Sequence, residues 1–470
     1  MIVHSPQISL PSPPRFRSML GCILLLLLLL AASTAEAFTQ GRPNVVVILA
    51  DDLGLADLGS TGARDIATPH MDSLACNGVS LRNAYITAPV CLPSRMGLIT
   101  GRKQERFGVQ TLAGPTHAGS VGLPLGEVTL GSRLQSAGYR TAIIGKWHMG
   151  EKEPFHPNNR GFDEFVGFLG GSLAYLPDTP GVILRNNQRI EKSEYLTDLF
   201  GSESVAFIDR NHQRPFFLYL AFNAPHTPLQ VTPTYLDRYS SIKEKGRRHY
   251  AAMVAAMDDN IGRVLEALRR HNLEENTLIF LLSDNGGAPQ NWSDNAPQRG
   301  GKYELYEGGI RTPVMVQWKK GGILPGVHSE ALTSALDIVP TVLAATGVSP
   351  DAAARFDGEN LLPLLRGHVR QTQRARLLWR YGPYMCALRE GPWKLVKVGA
   401  GQERNPSWEL YDLVRDRGET KNLAGRFPEK VQELAAHFEE WDRSLPPPSF
   451  MDQRLLDGIV WWRERDKVGD

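Results

Sequence analysis

The sequence Asn44-Val45-Val46-Val47-Ile48-Leu49-Ala50 leads directly into Asp51-Asp52. Such a run, rich in β-branched residues and free of charge, is typical of a strand buried on both faces of a sheet. The pattern recurs where 143–145 lead into Lys146-Trp147-His148, 216–222 into Asn223-Ala224-Pro225-His226, and 279–283 into Asp284-Asn285-Gly286-Gly287. Because ligands bind at the carboxyl ends of strands in open α/β sheets, we expect these polar clusters to form one site.

Amphipathic segments separate the apolar runs, the longest at 250–271, with apolar residues at steps of three and four. Buried strands that alternate with such helices favour an α/β fold with a mostly parallel sheet. After residue 370 the pattern changes to short strand-like runs at 377–381, 385–388, 393–398 and 409–413, then a helical segment at 428–445. We therefore predict an α/β domain at 38–370 and a small C-terminal α+β domain, an antiparallel sheet with one helix, at 371–470.

Residues 1–37 have the features of a secretory signal peptide. Arg15 and Arg17 precede an apolar run at 19–32, and Ala35-Glu36-Ala37 offers small residues for cleavage. The run is shorter than the roughly 18 apolar residues that a membrane span needs, although an uncleaved anchor is the alternative. The prediction is a secreted or periplasmic protein (lysosomal or extracellular in a eukaryote), with no membrane association after cleavage. A net charge of +2 over 470 residues argues against a nucleic-acid partner.

The cysteines that follow residue 37 are Cys76, Cys91 and Cys386, too few for a disulfide scaffold. Pairing of Cys76 with Cys386 stays open on the sequence alone.

Cys91 begins the string Cys91-Leu92-Pro93-Ser94-Arg95-Met96-Gly97-Leu98-Ile99-Thr100-Gly101-Arg102. Pro93 suits a first helical turn and Gly101 a helix end, which predicts Cys91 just outside a helix N-terminus, a position that favours anions. Arg95 adds a permanent cation suited to an oxyanion, although a buried structural cysteine beside a surface arginine is the alternative.

Asp51, Asp52, Asp284 and Asn285 offer hard oxygen ligands and no thiol. That set suits Ca²⁺, or less well Mg²⁺, rather than zinc, for which the sequence has neither a His-Glu-x-x-His nor a Cys-x-x-Cys motif. Taken one at a time, these residues could also be solvated turns after strands. Their recurrence after separate buried strands favours the metal site.

Further cationic and imidazole side chains stand beside these clusters. Lys146 and His148 flank Trp147, and alternation along an extended segment would place the cation and the imidazole on one side. His226 stands in a stiff, proline-rich turn, and Lys302 lies in a glycine-rich segment that allows close approach to a ligand. A cation to bind an anion and an imidazole to move protons form a sensible pair. Each could otherwise be an ordinary loop or surface residue.

The string Cys-x-Pro-Ser-Arg followed by Thr-Gly-Arg, with these clusters in this order, resembles the signature of the formylglycine-dependent (type I) sulfatases, the family of arylsulfatases and N-acetylgalactosamine-6-sulfatases. The resemblance runs from 43 to 313 and continues through Leu410-Tyr411-Asp412-Leu413 and Asn422-Leu423-Ala424. It implies an alkaline-phosphatase-like α/β sandwich, with a central mostly parallel sheet flanked by helices, plus the small C-terminal antiparallel sheet.

The resemblance also implies a chemistry. Cys91 would be the precursor of a formylglycine nucleophile, made by a formylglycine-generating enzyme, and the substrate would be a sulfate ester on a small molecule or a glycan, with aryl sulfates as surrogates. The implied ligands of one Ca²⁺ are Asp51, Asp52, Asp284, Asn285 and the modified Cys91. Arg95, Lys146 and Lys302 would hold the sulfate oxygens, His226 would protonate the leaving oxygen, and His148 would take a proton from the second hydroxyl of the hydrated aldehyde.

Two alternatives remain on the sequence alone. A phosphatase or phosphodiesterase could use the same fold, but such relatives usually need a serine or threonine nucleophile and two metals with several histidine ligands. A secreted glycan-binding protein could carry an unconverted Cys91 and no activity.

Overall fold

The strands of the main sheet begin and end close to the apolar runs of the sequence. In chain order they are β1 Asn44–Ala50, β2 Val79–Tyr85, β3 Arg140–Lys146, β4 Glu164–Phe168, β5 Ile183–Arg185, β6 Gln188–Ile190, β7 Phe216–Ala221, β8 Thr277–Ser283, β9 Val314–Gln317 and β10 Val327–Ser334. They lie in the order β10-β2-β9-β8-β1-β7-β3-β4-β5-β6. This computed structural model describes Met1 and residues 41–114, 120–350, 354–399 and 406–456, so the predicted signal peptide, apart from Met1, lies outside the described residues.

The centre of this sheet is parallel. β1 pairs in parallel with both β7 and β8, with Val45 opposite Phe217 on one side and Leu278 on the other. β3 continues the parallel arrangement between β7 and β4. The carboxyl ends of β1, β3, β7 and β8 therefore reach the same edge of the sheet, which brings the residues after each strand together.

Helices cover both faces of the main sheet. In chain order the helices are α1 Pro69–Cys76, α2 Cys91–Thr100, α3 Leu130–Ser136, α4 Leu196–Asn211, α5 Pro233–Leu236, α6 Lys245–Arg270, α7 Glu307–Ile310, α8 Ile338–Thr346, α9 Leu362–Leu365, α10 Pro428–Arg443 and α11 Gln453–Leu456. Val45 and Val47 of β1 share a core with α2 and α8, whereas Val46 and Ile48 share the opposite core with α4 and α6. Alternation along a strand buried on both faces produces this division.

A second, antiparallel sheet follows in the C-terminal part. It is built, in order, from β11 Arg376–Tyr381, β12 Met385–Glu390, β13 Trp393–Lys397 and β14 Glu409–Asp412. Leu434 and Phe438 of α10 pack on Leu388 and Leu395 of this sheet. The predicted fold class is thus confirmed, with the described residues of both sheets inside one compact unit that begins at Pro43. The domain boundary at 370/371 remains a prediction.

Several strands were not anticipated from the sequence. The main sheet is wider than predicted, because β10 and β2 extend it on one side and the short β4, β5 and β6 extend it on the other. Within the described ranges, no helix combines the length and apolar content that crossing a bilayer requires.

Candidate active site

Cys91 lies at the start of a completely buried helix. Every residue of α2 is buried, Val90 before it is extended, and Gly101 ends it with a φ of 69°. Cys91 is the first residue of the helix, so the prediction that placed it just outside was wrong by one position. Burial raises the pKa of its thiol, with Lys146 and Lys302 opposing that rise.

The residues after β1 and β8 meet at the edge of the sheet. The backbone N–H of Asp52 donates to Oδ1 of Asp284 at 3.3 Å, and Nδ2 of Asn285 donates to Oδ1 of Asp52 at 2.6 Å. Together with Asp51, these residues form a cluster of oxygen-bearing side chains, none of which is more than 2% exposed. Asp52 has a φ of 66°, a left-handed conformation that costs free energy in a non-glycine residue and that occurs often at functional sites.

Three cations contact these carboxylates. Nε of Arg95 donates to Oδ2 of Asp284 at 2.8 Å, the Lys146 ammonium contacts Asp51, and Nζ of Lys302 donates to Oδ2 of Asp52 at 2.9 Å. The three cations balance the charge of the three carboxylates. A divalent cation at this place would therefore leave a net positive site for an anionic substrate.

His226 borders the cluster from the loop after β7. Its Nε2 lies 3.7 Å from Oδ2 of Asp52, and its Nδ1 lies 2.6 Å from the carbonyl oxygen of Thr227. The hydroxyl of Tyr175 donates to the carbonyl oxygens of Asn223 and His226, at 2.5 and 2.8 Å, which fixes this turn. Burial, reinforced by Lys302, lowers the pKa of His226, so the neutral imidazole is favoured.

His148 follows the end of β3 in a strained conformation. Its φ is 56°, and its backbone N–H donates to the carbonyl oxygen of Leu169 at 3.0 Å. Because β3 ends at Lys146 and His148 is left-handed, the simple strand alternation assumed from the sequence does not hold here. Burial lowers the pKa of His148, and Lys146 and Arg95 add to the effect. Nδ1 of His148 is buried and has no hydrogen-bond partner among the described residues.

The oxygen cluster fits a divalent cation. Oδ1 of Asp51 and Oδ1 of Asn285 are buried, and neither has a hydrogen-bond partner among the described residues. Asp51, Cys91 and Asp284 each offer a ligand atom within 4.8 Å of the others, no more than about twice the usual Ca²⁺–oxygen distance of about 2.4 Å. Burial and the Asp51 carboxylate raise the pKa of Asp284 to about 7, although Arg95 opposes the rise. A bound divalent cation would lower that pKa again, because its positive charge stabilises the ionised carboxylate.

The structure adds a side chain that the sequence analysis did not assign to the site. Asn291 is completely buried, and its Nδ2 donates to the carbonyl oxygens of Asp52 and Pro225, at 3.3 and 3.4 Å. It therefore bridges the cation ligands and the turn of His226. Asn291 begins an Asn-Trp-Ser sequence, a glycosylation signal when exposed, and this was the only sequence signal that marked it.

Among the residues that the structure describes, the cysteines outside α2 take no part in this cluster. Cys76 is exposed, Cys386 is partly buried, and both are free thiols. The pairing left open on the sequence is therefore not formed.

Comparisons with known proteins identify a family for this chain. Residues 43–348 match the family model described as Sulfatase, and residues 301–442 match the model described as N-sulphoglucosamine sulphohydrolase, C-terminal. The first match contains every side chain of the cluster, and the second begins just before Lys302.

Curated and solved relatives match nearly the whole chain. Arylsulfatase J of Mus musculus is 35% identical over 502 residues, covering 92% of this chain and 83% of the relative. N-acetylgalactosamine-6-sulfatase of Mus musculus is 34% identical over 454 residues, covering 90% and 82%. A crystal structure of Ps i-CgsB in complex with k-i-k-neocarrahexaose has a TM-score of 0.83 and 34% identity, covering 89% of this chain and 98% of that one.

Proposed function

Because the chain belongs to the sulfatase family, we propose that it removes sulfate from a sulfated carbohydrate, using a nucleophile derived from Cys91 and one bound divalent cation. Family membership makes it a sulfuric ester hydrolase. The observation that supports the rest of the proposal is the buried cluster of three carboxylates and three cations around the start of α2. The relatives do not favour the phosphatase alternative.

The cation would be held by Asp51, Asp52, Asp284 and Asn285, with the side chain at position 91 as a further ligand. These are hard oxygen donors, which favour Ca²⁺ over zinc. When bound, the ion would stabilise negative charge on the sulfate oxygens in the transition state.

The cationic side chains would hold the sulfuryl group. The buried ammonium groups of Lys146 and Lys302 each form an ion pair with a carboxylate of the cluster, close to Cys91. In a site from which water is excluded, such fixed charges stabilise the transition state far more than they would in solvent. Arg95 would act mainly by fixing Asp284 and the start of α2.

The nucleophile requires conversion of Cys91 to formylglycine, which we propose from the family pattern at positions 91–102. One hydroxyl of the hydrated aldehyde would attack sulfur and release its proton as the bond between sulfur and the ester oxygen breaks, and the ester oxygen would leave with that proton. His226, neutral at rest, would need to gain that proton before donating it, and His148 would accept the proton of the second hydroxyl as sulfate departs. The carbonyl then re-forms, so water is the net nucleophile.

The substrate proposal rests on relatives. The solved Ps i-CgsB structure contains k-i-k-neocarrahexaose, and one curated relative is named for N-acetylgalactosamine 6-sulfate. We therefore propose a sulfated glycan for this chain. We also propose export from the cytoplasm through residues 1–37, which N-terminal sequencing of the mature protein would test by finding Phe38 as the first residue.

The central experiment compares Cys91→Ala with Cys76→Ala, an exposed free cysteine that serves as the matched control. We expect Cys91→Ala to abolish sulfate release from an aryl sulfate and from sulfated mono- and disaccharides, and Cys76→Ala to retain it. The peptide that contains position 91 should weigh less than its thiol form in active protein. Full turnover by Cys91→Ala would refute the nucleophile, and an unconverted thiol in fully active protein would refute the formylglycine.

A further inference from the structure

The segment 299–311, which we name the lysine loop because it carries Lys302, contacts several elements of the site through its backbone. The N–H of Lys302 donates to the carbonyl oxygen of Gly287 at 3.1 Å, and the N–H of Gly286 donates to that of Gly309 at 3.0 Å. The N–H of Tyr303 donates to the carbonyl oxygen of Pro89, two residues before Cys91, at 2.9 Å. The position of the lysine loop therefore decides where the Lys302 ammonium lies relative to Asp52.

The lysine loop is folded tightly on itself and on the end of β8. A Cβ on Gly309 would lie 2.0 Å from the carbonyl oxygen of Glu304, and one on Gly286 would lie 1.8 Å from that of Gly308. Tyr303 has a φ of 74°, a left-handed conformation that costs free energy. Close backbone approach and strain of this kind persist only when the surroundings hold the segment firmly.

Glu307 provides such a hold. Its Oε1 lies 3.0 Å from Nζ of Lys394 on β13, and its Oε2 accepts a hydrogen bond from the hydroxyl of Tyr85 at 2.7 Å. Its backbone N–H donates to Oε2 of Glu419 at 2.6 Å, and Oε1 of Glu419 lies 2.8 Å from Nζ of Lys394. Lys394 thus joins two carboxylates, one from the lysine loop and one from the segment after β14.

This charge cluster is completely buried. Glu307, Lys394 and Glu419 are each 0% exposed, and Glu419 has a φ of 50°. Glu307 also lies 3.6 Å from Arg311 and 4.0 Å from Arg389, but Lys394 is the cation that joins it to Glu419. Removing one member of a buried ion cluster disturbs the compensation of the remaining charges, so the three residues depend on one another for their positions. Surface ion pairs, screened by water, would not fix a loop in this way.

We propose that the Glu307–Lys394–Glu419 cluster is a positioning device, through which the C-terminal sheet holds the lysine loop so that Lys302 reaches Asp52 and the sulfuryl group. None of the three residues contacts the reacting atoms in this arrangement; they act through Lys302. This inference rests on the proposed function only in assigning Lys302 to the sulfate.

The test uses Lys394→Met and Glu419→Gln, each alone and each combined with Lys302→Ala, in the full-length, aldehyde-bearing enzyme. If the cluster acts through Lys302, we expect each single variant to lower kcat/KM for an activated aryl sulfate at least about tenfold, a fraction of the loss expected when a catalytic donor itself is removed. In the Lys302→Ala background the same changes should cost less than about twofold, because residues that act through one another are not additive. Equal losses in both backgrounds would overturn the inference.

Amide hydrogen exchange supplies a readout that does not depend on activity. Residues 299–311 should exchange faster in Lys394→Met and Glu419→Gln than in the wild type. The matched control is Leu388→Ala, which shortens a core side chain in the same C-terminal sheet. It should leave the amide exchange rates of the lysine loop as slow as in the wild type. Unchanged exchange in both cluster variants would refute the positioning role, even if one of them proved too unstable for kinetics.

The two proposals fail in different ways. If Lys302→Ala keeps full activity, the role given to Lys302 in the proposed function is wrong. If Lys302→Ala loses activity but Lys394→Met and Glu419→Gln do not, only the positioning inference is wrong.

Discussion

Arg95 and Asp284 connect the helix that begins at Cys91 with the end of β8. Nε and Nη2 of Arg95 each lie 2.8 Å from Oδ2 of Asp284, and both side chains are completely buried. Nη1 of the same guanidinium donates to the carbonyl oxygen of Lys146 at 3.1 Å. Burial alone would disfavour the Arg95 cation, but Asp284 and Asp51 outweigh it and raise the pKa of Arg95. One planar side chain therefore fixes α2, β3 and β8 relative to one another.

We predict that Arg95→Lys lowers kcat/KM by about 100-fold, the loss expected when reacting groups are misplaced by about 1 Å. An ammonium is a point donor and does not span Asp284 and the Lys146 carbonyl as a guanidinium does. Initial rates of sulfate release from an aryl sulfate measure the effect.

Arg210→Lys is the control for Arg95→Lys. Arg210 also pairs with a carboxylate, Glu164 at 2.7 Å, but its side chain is 49% exposed and it lies outside the pattern at positions 91–102. Its replacement should change kcat/KM by less than about twofold, as expected for a solvent-screened pair. Comparable losses in the two variants would contradict the role given to Arg95.

The centre of the fold and the convergence of the polar clusters could be predicted because each signal is local. Val45, Phe217 and Leu278 lie in uninterrupted apolar runs, which predict buried strands without knowledge of their partners. β2 and β10 were not predicted because polar residues interrupt their apolar pattern. These residues are Arg82 and Asn83 in β2, and Ser329 and Glu330 in β10. Those strands are held by pairing with neighbours, which the sequence does not reveal.

The support around the site could not be predicted, because its contacts join distant residues that look ordinary alone. Glu307 and Glu419 are 112 residues apart, and either carboxylate is typical of a solvated surface in the sequence. Asn291 carries the pattern of an exposed glycosylation signal, yet it is 0% exposed. Only the three-dimensional arrangement shows that these side chains satisfy buried polar groups.

We predict that Gly171→Ala slows turnover because the added methyl group displaces the imidazole of His148. A Cβ at this position would lie 2.7 Å from Nε2 of His148 and 2.9 Å from Cε1, so the ring has to move. Since His148 is proposed to act as sulfate leaves, we expect a burst of alcohol product in the first turnover, followed by steady turnover about 10-fold to 100-fold slower. This loss is smaller than the roughly 100-fold to 10,000-fold expected when a general base is removed, because the imidazole is displaced but still present. Stopped-flow measurement with a chromogenic aryl sulfate separates the two phases.

Gly170→Ala is the matched control, because a Cβ there would meet its nearest atom, Oε1 of Glu151, only at 3.4 Å. This variant should keep the wild-type rate and show no burst. A slow first turnover in Gly171→Ala would instead indicate that His148 acts before the ester bond breaks.

We predict that Ca²⁺ stabilises the folded protein through the oxygen cluster. At a free concentration 100 times its dissociation constant, a ligand that binds only the folded state adds about 2.7 kcal/mol to the free energy of unfolding. Asp284→Asn should weaken this increment, because it replaces a carboxylate ligand with a neutral amide. Urea titrations with chelator, with Ca²⁺ and with Mg²⁺ measure the effect, and Ca²⁺ should stabilise more than Mg²⁺.

Asp57→Asn provides the control for the Ca²⁺ measurement. Asp57 is also buried after β1, but it accepts hydrogen bonds from Tyr250, at 2.5 Å, and Arg247, at 2.6 Å, instead of joining the cluster. This variant should be less stable than the wild type yet keep the Ca²⁺ increment. Equal stability of the wild type with chelator and with Ca²⁺ would contradict the cation site.

Glu105 makes the stability of the protein depend on pH. It lies in a helical turn after α2, 0% exposed, and burial raises its pKa from 4.5 to about 7 although Lys103 opposes the rise. Between these values the folded state holds a proton that the unfolded chain has released. The contribution of Glu105 to the free energy of unfolding therefore falls as the pH rises from about 4.5 to about 7.

We predict that Glu105→Gln removes this loss and is the more stable protein at pH 8, by about 3 kcal/mol, which is the free energy that corresponds to the shift. At pH 4 the two proteins should differ little, because Glu105 is protonated in both the folded and the unfolded state. Urea unfolding at pH 4, 6 and 8 measures the difference, with Glu439→Gln on the exposed face of α10 as the control that should leave the pH dependence unchanged. A variant that loses stability equally at all three pH values would show that folding does not shift the pKa of Glu105, and a larger loss at pH 8 than at pH 4 would show that the carboxylate is stabilised in the folded protein.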